Sequence, residues 1–136
     1  MKPFLVFVLI AVTLVHCQKK KEEIQKNLVI EAMTNGQWKV TSFKKESVDR
    51  TTDFTPYAFQ FHENFTVDAL NGGLLEKTGM WSADASAQTI TATFTNSTNP
   101  LPLLNGTWKI TRNSWTYVEA TLISSAGVST LRLDKF

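Results

Sequence analysis

From residue 37 onward the chain repeats one pattern: β-branched and aromatic residues alternate with polar ones, and each run stops at a turn signal. Thr89-Ile90-Thr91-Ala92-Thr93-Phe94-Thr95 puts threonine on one face and apolar groups on the other, and Tyr57-Ala58-Phe59-Gln60-Phe61-His62 behaves likewise. Side chains alternate between the two faces of a strand but recur every 3.6 residues on a helix, so this pattern specifies strands. Asn71-Gly72-Gly73, Asn99-Pro100, Asn105-Gly106, Arg112-Asn113 and Ala126-Gly127 punctuate it. The runs predict eight strands, at residues 37–45, 57–62, 65–70, 75–82, 88–95, 107–112, 115–123 and 128–135.

Strands joined by short loops pair as antiparallel neighbours, which makes the order a meander. A meander of eight can close on itself, removing its exposed edges and leaving an interior that is either filled by side chains or holds one small ligand. The expected fold is therefore all-β, an eight-stranded antiparallel meander barrel; two separate sheets packed as a sandwich are the alternative. Tyr57, Phe59, Phe61, Ile90, Phe94, Trp108, Ile110, Leu131 and Leu133 are expected inside. Ahead of the strands, Ile24, Leu28, Val29, Ala32 and Met33 recur at helical spacing and Thr34-Asn35-Gly36 ends the run, predicting a short N-terminal helix. The run 115–123 is apolar on both faces, so one of its faces is expected to meet that helix.

The first residues obey a different logic. Met1-Lys2-Pro3 is cationic, Phe4 to Val15 is an unbroken apolar run apart from Thr13, and Leu14-Val15-His16-Cys17 ends it, directly before Gln18-Lys19-Lys20-Lys21-Glu22-Glu23. Twelve residues of helix rise only about 18 Å, short of the roughly 30 Å hydrocarbon core, which argues against a permanent span. The segment resembles a bacterial lipoprotein signal peptide, with His16 where such peptides usually carry Gly, Ala or Ser. That resemblance implies removal of residues 1–16, acylation of Cys17 by chains such as palmitate, and a lipidated charged tether over 17–23 ahead of a domain at 24–136. More than one acyl chain gives stable attachment to a membrane. Gln18, in place of the Asp associated with inner-membrane retention, points the resemblance to the outer membrane, and the Lys and Glu residues resemble a surface-export signal. An ordinary secretory peptide is the alternative.

Composition narrows the function classes. Removing 16 of the 136 residues leaves 120, enough for one core, and takes the formal charge from +2 to +1. The basic residues beyond the tether are scattered among acids, so no nucleic-acid footprint forms. Cys17 is the one cysteine, which excludes an intramolecular disulfide and a cysteine-based zinc site. His62, beside Glu63, is the one histidine of the mature chain, and Asp49, Asp53, Asp68, Glu76, Asp84, Glu119 and Asp134 are dispersed. No phosphate loop, metal cluster or nucleophile motif is present, so no catalytic residue and no cofactor is assigned. Three Asn-x-Ser/Thr stretches, starting at Asn64, Asn96 and Asn105, match the N-glycosylation acceptor pattern; beside a resemblance to bacterial lipoproteins they read as chance matches, and no function is drawn from them.

One heptapeptide occurs twice. Asn35-Gly36-Gln37-Trp38-Lys39-Val40-Thr41 returns as Asn105-Gly106-Thr107-Trp108-Lys109-Ile110-Thr111, with five of seven positions identical. Both copies read as a strand start, a turn followed by an inward tryptophan. A Gly-x-Trp on the first strand after a short helix, followed by strands filling about 100 residues, resembles the lipocalin-like domains of bacterial lipoproteins. The resemblance implies that Gly36 and Trp38 form the barrel floor, with Arg132 as the cation that stacks on the tryptophan. It also implies a binding module for a small apolar molecule, lined by Tyr57, Phe59, Phe61, Phe94 and Trp108. The alternative is a surface-tethered structural or interaction module with a filled core, touching an envelope partner through its loops. The connection 46–56, with Phe54 as its one exposed-looking aromatic, is the expected contact.

Overall fold

The structure, a computed structural model, describes residues 19–136; the leader and Cys17 lie outside them. A helix, α1, covers 19–34. Nine strands follow: β1 (Trp38–Lys45), β2 (Val48–Asp49), β3 (Tyr57–Phe61), β4 (Thr66–Asn71), β5 (Leu74–Asp84), β6 (Thr89–Thr93), β7 (Gly106–Asn113), β8 (Tyr117–Ser124) and β9 (Gly127–Lys135). Each long strand pairs antiparallel with the next, and β1 pairs with β9 from Trp38↔Lys135 to Lys44↔Thr130, closing an eight-stranded barrel. The two-residue β2 is a hairpin return from β1. Short 3-10 turns interrupt two loops, at Thr51–Phe54 and Leu101–Leu104.

Alternation decides which side chains are buried, except where a bulge resets it. On β1, Trp38 and Val40 face inward; a register shift between Val40 and Ser42 then turns Phe43, rather than Ser42, into the core. Tyr57, Phe59 and Phe61 on β3, Trp108 on β7, and Leu131 and Leu133 on β9 are buried as expected, while Ile90 and Ile110 are half-buried against the core. Strand β8 begins at Tyr117, leaving Trp115 exposed in the preceding turn. Its inward residues Val118 and Ala120 join the barrel core, and its outer face ends in the exposed Ile123. The helix thus meets the barrel at an end, where Met33 enters the core and Val29 and Ile30 pack against it, and not along the outer wall of β8.

Because the strands alternate in direction, the barrel has two distinct ends. The start of β1, the β5–β6 turn and the β7–β8 turn share one end with α1. The opposite end collects the β1–β3 connection, the β4–β5 and β8–β9 hairpins and the loop carrying the second 3-10 turn. Buried Phe54 packs on Phe43 at 5.1 Å between ring centres, and Leu101 and Leu104 close over the neighbouring opening. The connection 46–56 is therefore a plug, and Phe54, expected at the surface, is part of the core.

Candidate functional site

The twin heptapeptides anchor the two ends. In each, an Asn-Gly with a positive φ at glycine, +88° at Gly36 and +134° at Gly106, turns the chain into a strand whose tryptophan is buried. Each indole N–H then donates back to the turn or helix just left: Trp38 Nε1 to the Met33 carbonyl at 2.9 Å, and Trp108 Nε1 to the Leu104 carbonyl at 2.8 Å. The first bond ties α1 to the barrel and the second ties the Leu101–Leu104 turn to the opposite end. Buried Trp N–H groups need such a partner, and every buried side-chain N or O among the described residues has one.

Two cavities lie within this frame, one inside the barrel and one beside α1. Inside the barrel is a void of about 50 Å³ whose walls include Phe59, Phe61, Phe94, Trp108 and Leu131. It is lined by apolar side chains and is too small for more than a water or two, so the expected aromatic lining is packed as core. Tyr57 is not in that wall: it stacks on Phe59 at 6.2 Å and its hydroxyl donates to Glu76 at 2.7 Å. Burial, then the hydrogen bond to Glu76, pushes the Tyr57 phenol up to about 12.

The larger cavity, about 310 Å³, is a cleft between α1 and the barrel rim. Its floor is Val29, Met33, Ile90, Ile110 and Val118; its rim is Gln25, Asp84, Gln88, Thr111, Asn113 and Ser114. Met33, Ile90, Ile110 and Val118 also wall the interior void, so the two spaces share one layer of apolar side chains in which the unbranched Met33 is the adaptable member. Sequence reasoning missed this cleft, because only the helix stripe at Leu28, Val29 and Met33 hinted at it and its other walls come from five strands, β1 and β5 to β8. Asp84 ends β5 at the rim. Its Oδ1 accepts from Ser86 Oγ at 2.7 Å and from the Ala87 N–H at 3.1 Å, and these bonds hold its carboxyl below the usual range.

Arg132 does not stack on Trp38. It sits on the outer wall, alternating with the inward Leu131 and Leu133, with its guanidinium 4.5 Å from the Tyr117 ring centre and bonded to Glu119 at 2.7 Å and Asp134 at 2.9 Å. The cation over Trp38 is Lys135, 5.1 Å from the ring centre and paired in register with it across β1 and β9. Trp38 is buried at the end carrying α1, and the exposed Gly36 turns the chain into its strand there. Asp134, held by Arg132 and by Thr41, stays below its usual range.

His62 meets one carboxylate: its Nε2 lies 2.8 Å from Asp68 Oδ2, and Thr78 donates to the other oxygen at 2.7 Å. These bonds, that to His62 first, hold Asp68 below the ordinary range. The hydroxyl in the group bonds to the carboxylate rather than to the imidazole, and His62 lines neither cavity; the three side chains tie the end of β3 across β4 to β5. Among the described residues no group of three or more His, Cys, Asp or Glu comes together to hold a metal, and no helix is long and apolar enough to cross a membrane.

No protein-family model matches the chain, and no curated protein matches it in sequence. Solved structures do resemble it. A DUF4847 family protein from Bacteroides vulgatus is 13% identical, with a TM-score of 0.56 over 78% of this chain and 96% of its own. A lipocalin-like protein from Bacteroides uniformis is 16% identical, with a TM-score of 0.52 over 76% of this chain and 98% of its own. At such identities the likeness is one of fold, and the fold is a closed, lipocalin-like antiparallel β-barrel with one short helix.

Proposed function

We propose that this protein is a membrane-anchored, non-catalytic binding protein that takes a small apolar molecule at the α1 end of its barrel. The observation that carries this reading is the 310 Å³ cleft sharing four apolar wall residues with the apolar interior void. Its volume falls at the lower end of the roughly 300–1,000 Å³ typical of small-molecule sites. Rotamer changes at Met33 would join it to the void, since an unbranched thioether adapts to irregular spaces. The anchor rests on the N-terminal sequence: a lipobox-like Leu14 to Cys17, acylation at Cys17, and residence in the outer membrane. Residues 19–28 of α1, all exposed, leave the helix start free to stand at a lipid surface.

A second reading, a tethered interaction module with a filled core, draws on the opposite end. There the hairpin tips expose Val48, Leu74, Leu75, Ile123 and Val128 while the interior behind them is packed. Native mass spectrometry of the protein purified from its own host membranes separates the two. A discrete small-molecule mass travelling with the chain supports the binding protein, whereas a bare mass moves the weight to the interaction module. Cys17→Ser is expected to release the protein from membranes, and a variant that stays bound there overturns the lipid anchor.

A further inference from the structure

The walls of the cleft select among apolar molecules by charge. Resting on the binding role above, we propose that the cleft takes a neutral amphiphile, an alkyl or ring body of about ten heavy atoms carrying a hydroxyl or amide head, and rejects anionic amphiphiles such as free carboxylic acids. The size follows from 310 Å³ at the roughly 30 Å³ that a water-sized group fills.

Among the described residues that line the cleft, Asp84 alone is charged. Its two hydrogen bonds, from Ser86 and Ala87, favour the carboxylate, so the negative charge is in place at neutral pH. An incoming carboxylate at the rim would meet that charge, find no guanidinium or ammonium in the lining, and give up part of its water on entering the cleft. Desolvating an ion without a partner is among the costliest steps a site can impose. Lys26 lies outside the lining and is the weakest of the influences on the Asp84 carboxyl. The remaining polar rim of Gln25, Gln88, Thr111, Asn113 and Ser114 offers uncharged donors and acceptors together, the complement of a hydroxyl or an amide.

The test uses the full chain in lipid nanodiscs, its methionine methyl groups labelled with carbon-13, titrated at neutral pH with 1-decanol and with decanoate. Free concentrations are set by parallel titration of empty nanodiscs. Met33 lies in the wall common to cleft and void, and Met80 is 57% exposed on β5 and serves as the internal control for fold and for surface adsorption. Decanol is expected to move the Met33 methyl and not that of Met80, with decanoate weaker by about tenfold or more. Asp84→Asn is expected to narrow that gap by about threefold. Decanoate binding as tightly as decanol, or a gap that Asp84→Asn leaves unchanged, overturns the charge selection while the binding role stands. If neither compound moves Met33, the binding role fails and takes this inference with it.

Discussion

The two ends of the barrel use the same device and finish differently. Trp38 and Trp108 occupy equivalent places in a repeated Asn-Gly-x-Trp-Lys segment, and each indole bonds to the last turn before its strand. At the Trp108 end, two 3-10 turns deliver Phe54, Leu101 and Leu104 into the opening, and all three are buried. At the Trp38 end one helix lies across the opening; Met33 is buried, but Leu28, a turn earlier, is 46% exposed and the cleft opens beside it. A helix is a straight rod laid on a round rim and touches it along one stripe, whereas short turns rise out of the rim and follow its curve. Sealing and opening are thus set by what precedes each tryptophan.

The largest effects should fall on the shared device. Trp108→Ala and Trp38→Ala each remove a buried aromatic and its bond, and each is expected to cost about 3–5 kcal/mol in denaturant unfolding. The comparison sharpens if Trp38→Ala also frees α1, read as faster amide exchange over residues 29–34; an unchanged midpoint for either variant removes that tryptophan from its end's closure. Leu101→Ala, at the sealed end, is expected to cost about 2–5 kcal/mol, because the site is fully buried and tied to its neighbours. A cost below about 1 kcal/mol would show that this end is no better packed than the other. Gly79→Ala tests the wall between the ends. A Cβ there would lie 2.6 Å from the Thr93 carbonyl and 2.7 Å from the Phe94 ring, so a loss of about 1–3 kcal/mol is expected.

Tyr57 reports on the sealed end through its proton. Its phenol is raised from the ordinary value of 10 to about 12 in the folded state, so the neutral form is the one the fold favours. The associated stability is complete below pH 10 and is lost as pH rises toward 12. Thermal unfolding across that window should fall more steeply for the native chain than for Tyr57→Phe, and the ultraviolet phenolate absorbance should lose one of its two tyrosine contributions, the one rising near pH 12, in the variant. Parallel slopes would mean that water reaches the phenol and that the sealed end leaks.

What the sequence revealed and what it hid divide along the same line. The walls were legible because alternation is a local signal: Tyr57, Phe59 and Phe61, or Leu131 and Leu133, declare their face by spacing alone. The ends were not, because they depend on where loops fold back. Phe54 stands in a polar stretch of Asp and Thr and looks exposed, yet a four-residue turn carries it onto Phe43. The bulge after Val40 moves Phe43 into the core against strict alternation. The partner of Trp38 was sought at Arg132, but the β1–β9 register, invisible before the barrel closes, puts Lys135 there. The cleft was hidden because it forms where residues 25–33 of α1 dock over the strand ends at 83–90 and 110–118, and the helix's own spacing does not specify that seat.

The smallest expected effect is the one that most sharply separates the ends. Leu28 lines the cleft from α1 while remaining almost half exposed, so Leu28→Ala should change stability by no more than about 0.5 kcal/mol, in contrast to Leu101→Ala across the barrel. Its effect on a neutral amphiphile should be larger than its effect on folding. Truncation withdraws apolar contact from the ligand and leaves the barrel core, which reaches α1 through Val29, Ile30 and Met33, in place. Unfolding curves and the Met33 methyl titration on the same preparation give both numbers. A variant that loses several kcal/mol of stability would show that α1 seals its end as firmly as the two 3-10 turns seal theirs, and the contrast between the ends would be lost.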